Sequence, residues 1–90
     1  MLKRGESMYY VYVIQNEANE YYIGYTENLK KRLINHNSNG TQSTKGHQWK
    51  LVYYEGYVNE SYARKREQKI KRNRKTKEFL IKRVKESLSI

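Results

Sequence analysis

Near its start the chain alternates with a period of two. Tyr9–Gln15 (YYVYVIQ) is β-branched and aromatic and predicts a strand. Asn16-Glu17-Ala18-Asn19 reads as a turn, and Glu20–Thr26 (EYYIGYT) as a second strand. So short a connection implies an antiparallel hairpin. A three-residue loop at 16–18 predicts Tyr12 opposite Tyr22, Val11 opposite Ile23 and Tyr10 opposite Gly24. Val11, Val13 and Ile23 then share one face, expected to be the core. Tyr10, Tyr12, Tyr22 and Gly24 share the other, joined near the turn by Ile14.

The period then lengthens to that of a helix. Asn28 is placed to cap a helix from Leu29 to about Asn37, with Leu29 and Leu33 toward the core and Arg32 and His36 on the neighbouring stripe. Residues 37–48 (NSNGTQSTKGHQ) form a polar loop, long enough to suggest a functional one. Trp49–Val58 predicts a third strand. Asn59 is placed to cap a second helix, Glu60 to about Asn73, whose inward stripe is Ala63, Glu67 and Ile70. A carboxylate thus shares an apolar face. Thr76 is the predicted cap of a last helix carrying Phe79, Leu80, Val84 and Leu88. The order is β-β-α-β-α-α, an α+β chain. Residues 1–7 show no pattern and are expected to be a disordered leader, with Met8 an alternative start. Residues 8–90 form one domain.

Charge changes the picture. The chain has 90 residues, with 19 Lys and Arg against 9 acids, a net charge of +10. All the acids are Glu. The excess is concentrated in residues 60–90, where 12 Lys and Arg face 4 Glu. Such a balance points to a polyanion: nucleic acid first, an anionic membrane second. The apolar runs are too short to span a membrane, no secretory h-region follows the basic start, and a cytoplasmic location is expected. No Cys is present, which excludes disulfides, thiolate metal sites and Cys nucleophiles. Ten Tyr beside one Phe and one Trp give a core and a surface suited to meeting water, bases or phosphates.

One constellation goes further. The first strand carries Tyr10-Val11-Tyr12; the second carries Tyr22-Ile23-Gly24. Arg32 follows ten residues after Tyr22, and His36 four later. Together with Thr44-Lys45, WKLVYYE and ARKREQKIKR, this resembles the GIY-YIG nuclease superfamily over nearly all of residues 8–83. The likeness is greatest to small stand-alone members, excinuclease-like and of the UPF0213 type. The resemblance implies a three-stranded antiparallel sheet flanked by helices and metal-dependent hydrolysis of phosphodiesters in DNA, in repair or in processing of branched DNA. It implies catalytic roles for Tyr12, Tyr22, Arg32 and His36, and a helical glutamate, Glu67, holding one Mg²⁺ or Mn²⁺.

These residue types suit that chemistry. Hydrolysis needs an activated water, charge relief at phosphorus and a stabilised leaving oxygen. Arg32 offers a planar fork of donors to phosphate. Tyr22 is the expected base, its phenol acidified by a neighbouring cation, with Tyr12 orienting it. Gly24 is expected to leave room for the substrate backbone, with Lys45 helping to position it. Lys30, Lys31, Arg64, Lys65, Lys69, Lys71 and Arg72 are expected along the DNA backbone. The absence of Asp argues against a site of clustered Asp around two metals.

Each residue also has a plainer reading. Tyr12 and Tyr22 could be a cross-strand aromatic pair, Gly24 a bulge, His36 a dipole-favoured residue at a helix end, and Glu67 the partner of Arg64 or Lys71. The first motif departs from Gly-Ile-Tyr but keeps its final Tyr. Tyr25 stands where some repair-nuclease members carry Lys. With no second domain, specificity must come from this domain, dimerisation or a protein partner. The alternatives are a non-catalytic nucleic-acid-binding module on the same fold and, from size and charge alone, a basic RNA- or ribosome-associated protein. Branched or single-stranded DNA is the expected preference, with Trp49 or loop tyrosines stacking on exposed bases.

Overall fold

The computed structural model describes residues 7–38 and 40–89, so most of the expected leader, residues 1–6, lies outside the described residues. At its centre runs β1 (Tyr9–Asn16), paired antiparallel with β2 (Tyr21–Thr26) on one side and β3 (Trp49–Tyr57) on the other. Every residue of β1 from Val11 to Asn16 is buried. Its nearly unbroken apolar run is what a strand covered on both faces requires.

Helices provide both covers. On one face α2 (Glu60–Arg72) and α3 (Arg74–Leu88) bring Ala63, Ile70 and Leu80 onto Val11, Val13 and Ile23, as the alternation predicts. On the other, α1 (Leu29–Asn37) lays Leu29 and Leu33 over Tyr12, Ile14 and Trp49, with Tyr22 at the margin. Two apolar clusters therefore exist where one was expected. The second face is covered by α1 and is not an open tyrosine surface. Tyr12 is only 2% exposed.

The hairpin register differs by two residues from the expectation. Tyr12 stands opposite Gly24, Val13 opposite Ile23 and Ile14 opposite Tyr22. The reason is local. Asn16 Oδ1 accepts from the backbone N–H groups of Ala18 (2.9 Å) and Glu20 (3.0 Å), and its Nδ2 donates to Glu20 Oε1 at 2.8 Å. Asn19 adopts a left-handed φ of 61°, which Asn tolerates better than most residues. These bonds stabilise a longer connection than a three-residue loop. A slip of two leaves every side chain on its expected face.

The helix starts follow their caps. Asn28 and Asn59 accept from Lys31 N and Tyr62 N, as expected. The last helix begins earlier than predicted. Asn73, with extended backbone (ψ 109°), ends α2, and its side chain accepts from Thr76 N to start α3. Thr76 thus lies inside the first turn instead of capping it.

α2 is also tied to β3 by charge. Arg66 donates through Nε and Nη2 to the two oxygens of Glu55, at 2.8 Å each, while the Tyr53 and Tyr57 phenols donate to the same carboxylate at 2.6 and 2.5 Å. Burial alone would raise the Glu55 pKa. The Arg66 guanidinium and the two phenols outweigh it and hold the pKa at about 2.

Candidate active site

The site lies where β1, β2, α1 and the flank of α2 meet. The Tyr12 ring extends over Gly24, directly opposite it. A Cβ on Gly24 would fall 2.4 Å from the Tyr12 hydroxyl, so only glycine lets the phenol lie there. The room that was expected to serve substrate is taken by this ring.

The Tyr12 hydroxyl sits 2.7 Å from His36 Nε2, and His36 Nδ1 sits 2.8 Å from the Thr44 hydroxyl. That hydroxyl in turn donates to the Thr41 carbonyl at 3.3 Å. With its one proton assigned to that carbonyl, it accepts from Nδ1–H. Nε2 is left as a lone pair that accepts the proton of Tyr12. His36 and Thr44 are fully buried. Burial, and secondarily the Arg32 charge, hold the His36 pKa below its ordinary value, so the ring is neutral near pH 7. Burial pushes the Tyr12 phenol well above its ordinary range, and the neighbouring Arg32 guanidinium offsets only part of this.

Arg32 stands one helical turn before His36 on α1. Its Nη2 lies 3.5 Å from the Tyr25 carbonyl, at the limit of a hydrogen bond. Its Nε is buried and has no acceptor among the described residues. Leaving such a donor unmet is costly.

Tyr22 packs edge-on against His36 (5.1 Å between centroids) and Trp49 (6.3 Å). From α2, Lys71 places its ammonium 5.4 Å from the Tyr22 ring centre and pairs with Glu67 at 3.2 Å. The Glu67 side chain is 14% exposed, consistent with its place between Ala63 and Ile70, and its charge acts on the Tyr12 phenol. The plainer reading of Glu67 as a partner of Lys71 therefore coexists with a position beside the tyrosines.

The donor set is lean. Among the described residues no three His, Cys, Asp or Glu converge as a metal cluster. Among the described residues Glu67 is the one carboxylate acting on Tyr12, and Lys71 is its counter-charge. An ion held there by one carboxylate would complete its shell with water and substrate phosphate.

Tyr12, Tyr22, Gly24, Arg32, His36, Glu67 and Lys71 thus come together. The remaining predicted contacts do not join them. Lys30, Lys31 and Lys45 are exposed. Arg64 pairs with Glu60 at 3.1 Å and lies 4.3 Å over the Tyr25 ring, while Lys65, Lys69 and Arg72 are exposed elsewhere on α2. Thr44 was quoted in the motif but given no role, although it sets the His36 tautomer. It is held by its own chain: the Trp49 indole N–H donates to its carbonyl at 2.9 Å.

Comparison with known proteins identifies the family. Residues 8–79 match the GIY-YIG catalytic domain. A UPF0213 protein of Clostridium perfringens is 38% identical over 84 residues, covering 88% of this chain and 90% of its own length. One from Streptococcus pneumoniae is 36% identical over 75 residues, covering 79% and 76% respectively. One from Halobacterium salinarum is 37% identical over 77 residues, covering 82% of this chain and all of its own. The chain belongs to the GIY-YIG family, with the fold order, antiparallel sheet and small size of its stand-alone members. Membership implies a nuclease-type function; the names of these relatives state no activity. No solved structure matches the chain significantly. Among the described residues no helix is long and apolar enough to cross a membrane.

Proposed function

We propose that this chain is a divalent-metal-dependent DNA endonuclease acting through the Tyr12 site. The observation that carries the reading is the Tyr12 phenol, aimed at a buried, neutral imidazole and flanked by an Arg32 fork with an unmet donor. A scissile phosphate bound by Arg32 would bring an attacking water within reach of the Tyr12 oxygen. As water attacks phosphorus, its proton passes to that oxygen while the phenolic proton passes to His36 Nε2. Tyr12 ends neutral and the imidazole ends protonated, its Nδ1–H still held by Thr44. The P–O bond to the leaving strand breaks in the same displacement. A divalent ion on Glu67, completed by water and phosphate oxygens, would neutralise phosphate charge and stabilise the leaving oxygen. Lys71 would give up Glu67 and turn to the phosphate. In this account Tyr12, not Tyr22, is the base. Tyr22 forms a wall of the site, held by His36 and Trp49.

One observation favours a second reading, a non-catalytic nucleic-acid-binding module. Glu67 is already neutralised by Lys71, as a binding surface would have it. Incubation of supercoiled plasmid at low salt with Mg²⁺, Mn²⁺ or EDTA separates the two. Nicking that requires the metal supports the nuclease. Salt-sensitive binding with no nicking under any metal supports the module.

A further inference from the structure

The basic run of α2 is divided by the helix into two flanks. At about 100° per residue, Tyr62 and Lys69 project roughly 160° away from Arg64 and Lys71. Arg64 and Lys71 meet β2 tyrosines and serve the side of the helix that carries the active site. Tyr62 leans on Tyr57 of β3, and Lys65 and Lys69, which also border the outer face beside Arg64 and Arg72, help it line an open pocket of about 600 Å³ between β3 and α3. Arg83 of α3 closes its far wall beside the Tyr53 hydroxyl.

Its chemistry is specific. Four cations line the pocket against one carboxylate, and that carboxylate, Glu55, is fully engaged by Arg66, Tyr53 and Tyr57. Lys65 and Lys69, one turn apart, have no carboxylate partner among the described residues, and the like-charge pair is unfavourable on its own. Above them Tyr62 is 56% exposed. Its ring leans on Tyr57, 4.9 Å between centroids at a 55° tilt. The three cations left over, Lys65, Lys69 and Arg83, beside a half-exposed aromatic ring match a phosphate joined to an unstacked base. In a duplex the base faces are already stacked and cannot meet Tyr62.

We propose that this pocket is a second nucleic-acid contact, separate from the Tyr12 site, that takes an unpaired stretch of DNA. Lys65, Lys69 and Arg83 hold its phosphates, and Tyr62 stacks on a base. The proposal rests on the chain's handling DNA but not on its cutting it. A substrate gripped on both flanks of α2 would carry a single-stranded segment beside its scissile strand.

The test uses the full chain, a fluorescent twelve-nucleotide oligothymidylate and EDTA, so that binding is read without cleavage. Tyr62→Ala should weaken binding about tenfold, as loss of one base stack does, and Tyr62→Phe should restore it. K65Q/K69Q should lower the slope of log affinity against log salt by about 1.4, the share of two phosphates on a single strand. A blunt duplex should be insensitive to Tyr62→Ala. Circular dichroism melts confirm folding of the exposed-site variants. Wild-type binding by Tyr62→Ala, or displacement of the oligonucleotide by polyglutamate as readily as by DNA, would overturn the proposal. Plasmid nicking that persists alongside that result leaves the nuclease standing; pocket-dependent binding without nicking refutes the nuclease alone.

Discussion

Tyr12 and His36, 24 residues apart in sequence, are joined at 2.7 Å in the interior of the domain, the phenol donating to the imidazole in the tautomer assigned from Thr44. Neither group is there for solubility, since both are almost completely buried. The geometry turns two poor resting catalysts into a pair. The phenol is too weakly acidic to ionise alone, and the imidazole beside it is neutral and ready to accept. Thr44 keeps the lone pair on the correct ring nitrogen.

The pair sets a pH dependence. His36 must be neutral to accept, and its pKa lies below the ordinary 6.5. Cleavage should therefore hold from neutrality to below pH 6.5 and fall only as pH drops through the lowered folded pKa. The same shift contributes folding stability that is present above pH 6.5 and lost over that lower range. Nuclear magnetic resonance titration of the His36 ring reads this directly. Arg32→Gln, by removing a positive neighbour, should move the midpoint upward toward 6.5. A wild-type midpoint at or above 6.5 would contradict the assignment.

Gly24 should be irreplaceable for a reason of space. Gly24→Ala sets a methyl 2.4 Å from the Tyr12 hydroxyl. The phenol must move from His36 or the strands must part, at a cost of about 1–3 kcal/mol. Cleavage should drop by at least about 10²-fold, the usual loss when a positioned proton-transfer group is displaced. DNA binding should stay within a few-fold of wild type. Chemical denaturation and binding titration, run together, check both halves.

Stability should reside partly in the Glu55–Arg66 tie. Breaking it with Arg66→Met strands a mostly buried carboxylate and should cost roughly 2–3 kcal/mol, somewhat below a fully buried pair. In the wild type, the contribution of Glu55 is complete above its ordinary pKa of 4.5. It is lost as pH falls toward about 2. Denaturant melts of both proteins at neutral and acidic pH should converge at the acid end. A constant gap between them would place the stability elsewhere.

Much of this architecture was legible in the amino-acid order, and the failures are physical. Alternation sorted Val11, Val13 and Ile23 from Tyr12 and Tyr22 correctly, because a two-residue slip does not exchange faces. The register itself was not legible, since it depends on three hydrogen bonds of the Asn16 side chain. Asn73 and Thr76 both suit a helix start. Only the extended backbone at Asn73, which also ends α2, decides between them. Leu29 and Leu33 announced a buried helix face but not which side of the sheet it covers, and so the burial of Tyr12 went unforeseen. The Tyr, Arg, His and Glu positions that the structure brings together were named from the resemblance of their motifs to the family. Thr44 was not, because its partnership with His36 exists only after α1 and the polar loop fold together.

The most direct test compares plasmid nicking by wild type, Tyr12→Phe and Glu67→Ala in Mg²⁺, with DNA affinity measured on the same preparations. Tyr12→Phe keeps the buried ring and removes only the hydroxyl. The account predicts metal-dependent nicking by the wild type, a loss of about 10²-fold or more in each variant, and DNA affinity that changes little. Undiminished nicking by Tyr12→Phe or by Glu67→Ala would contradict it.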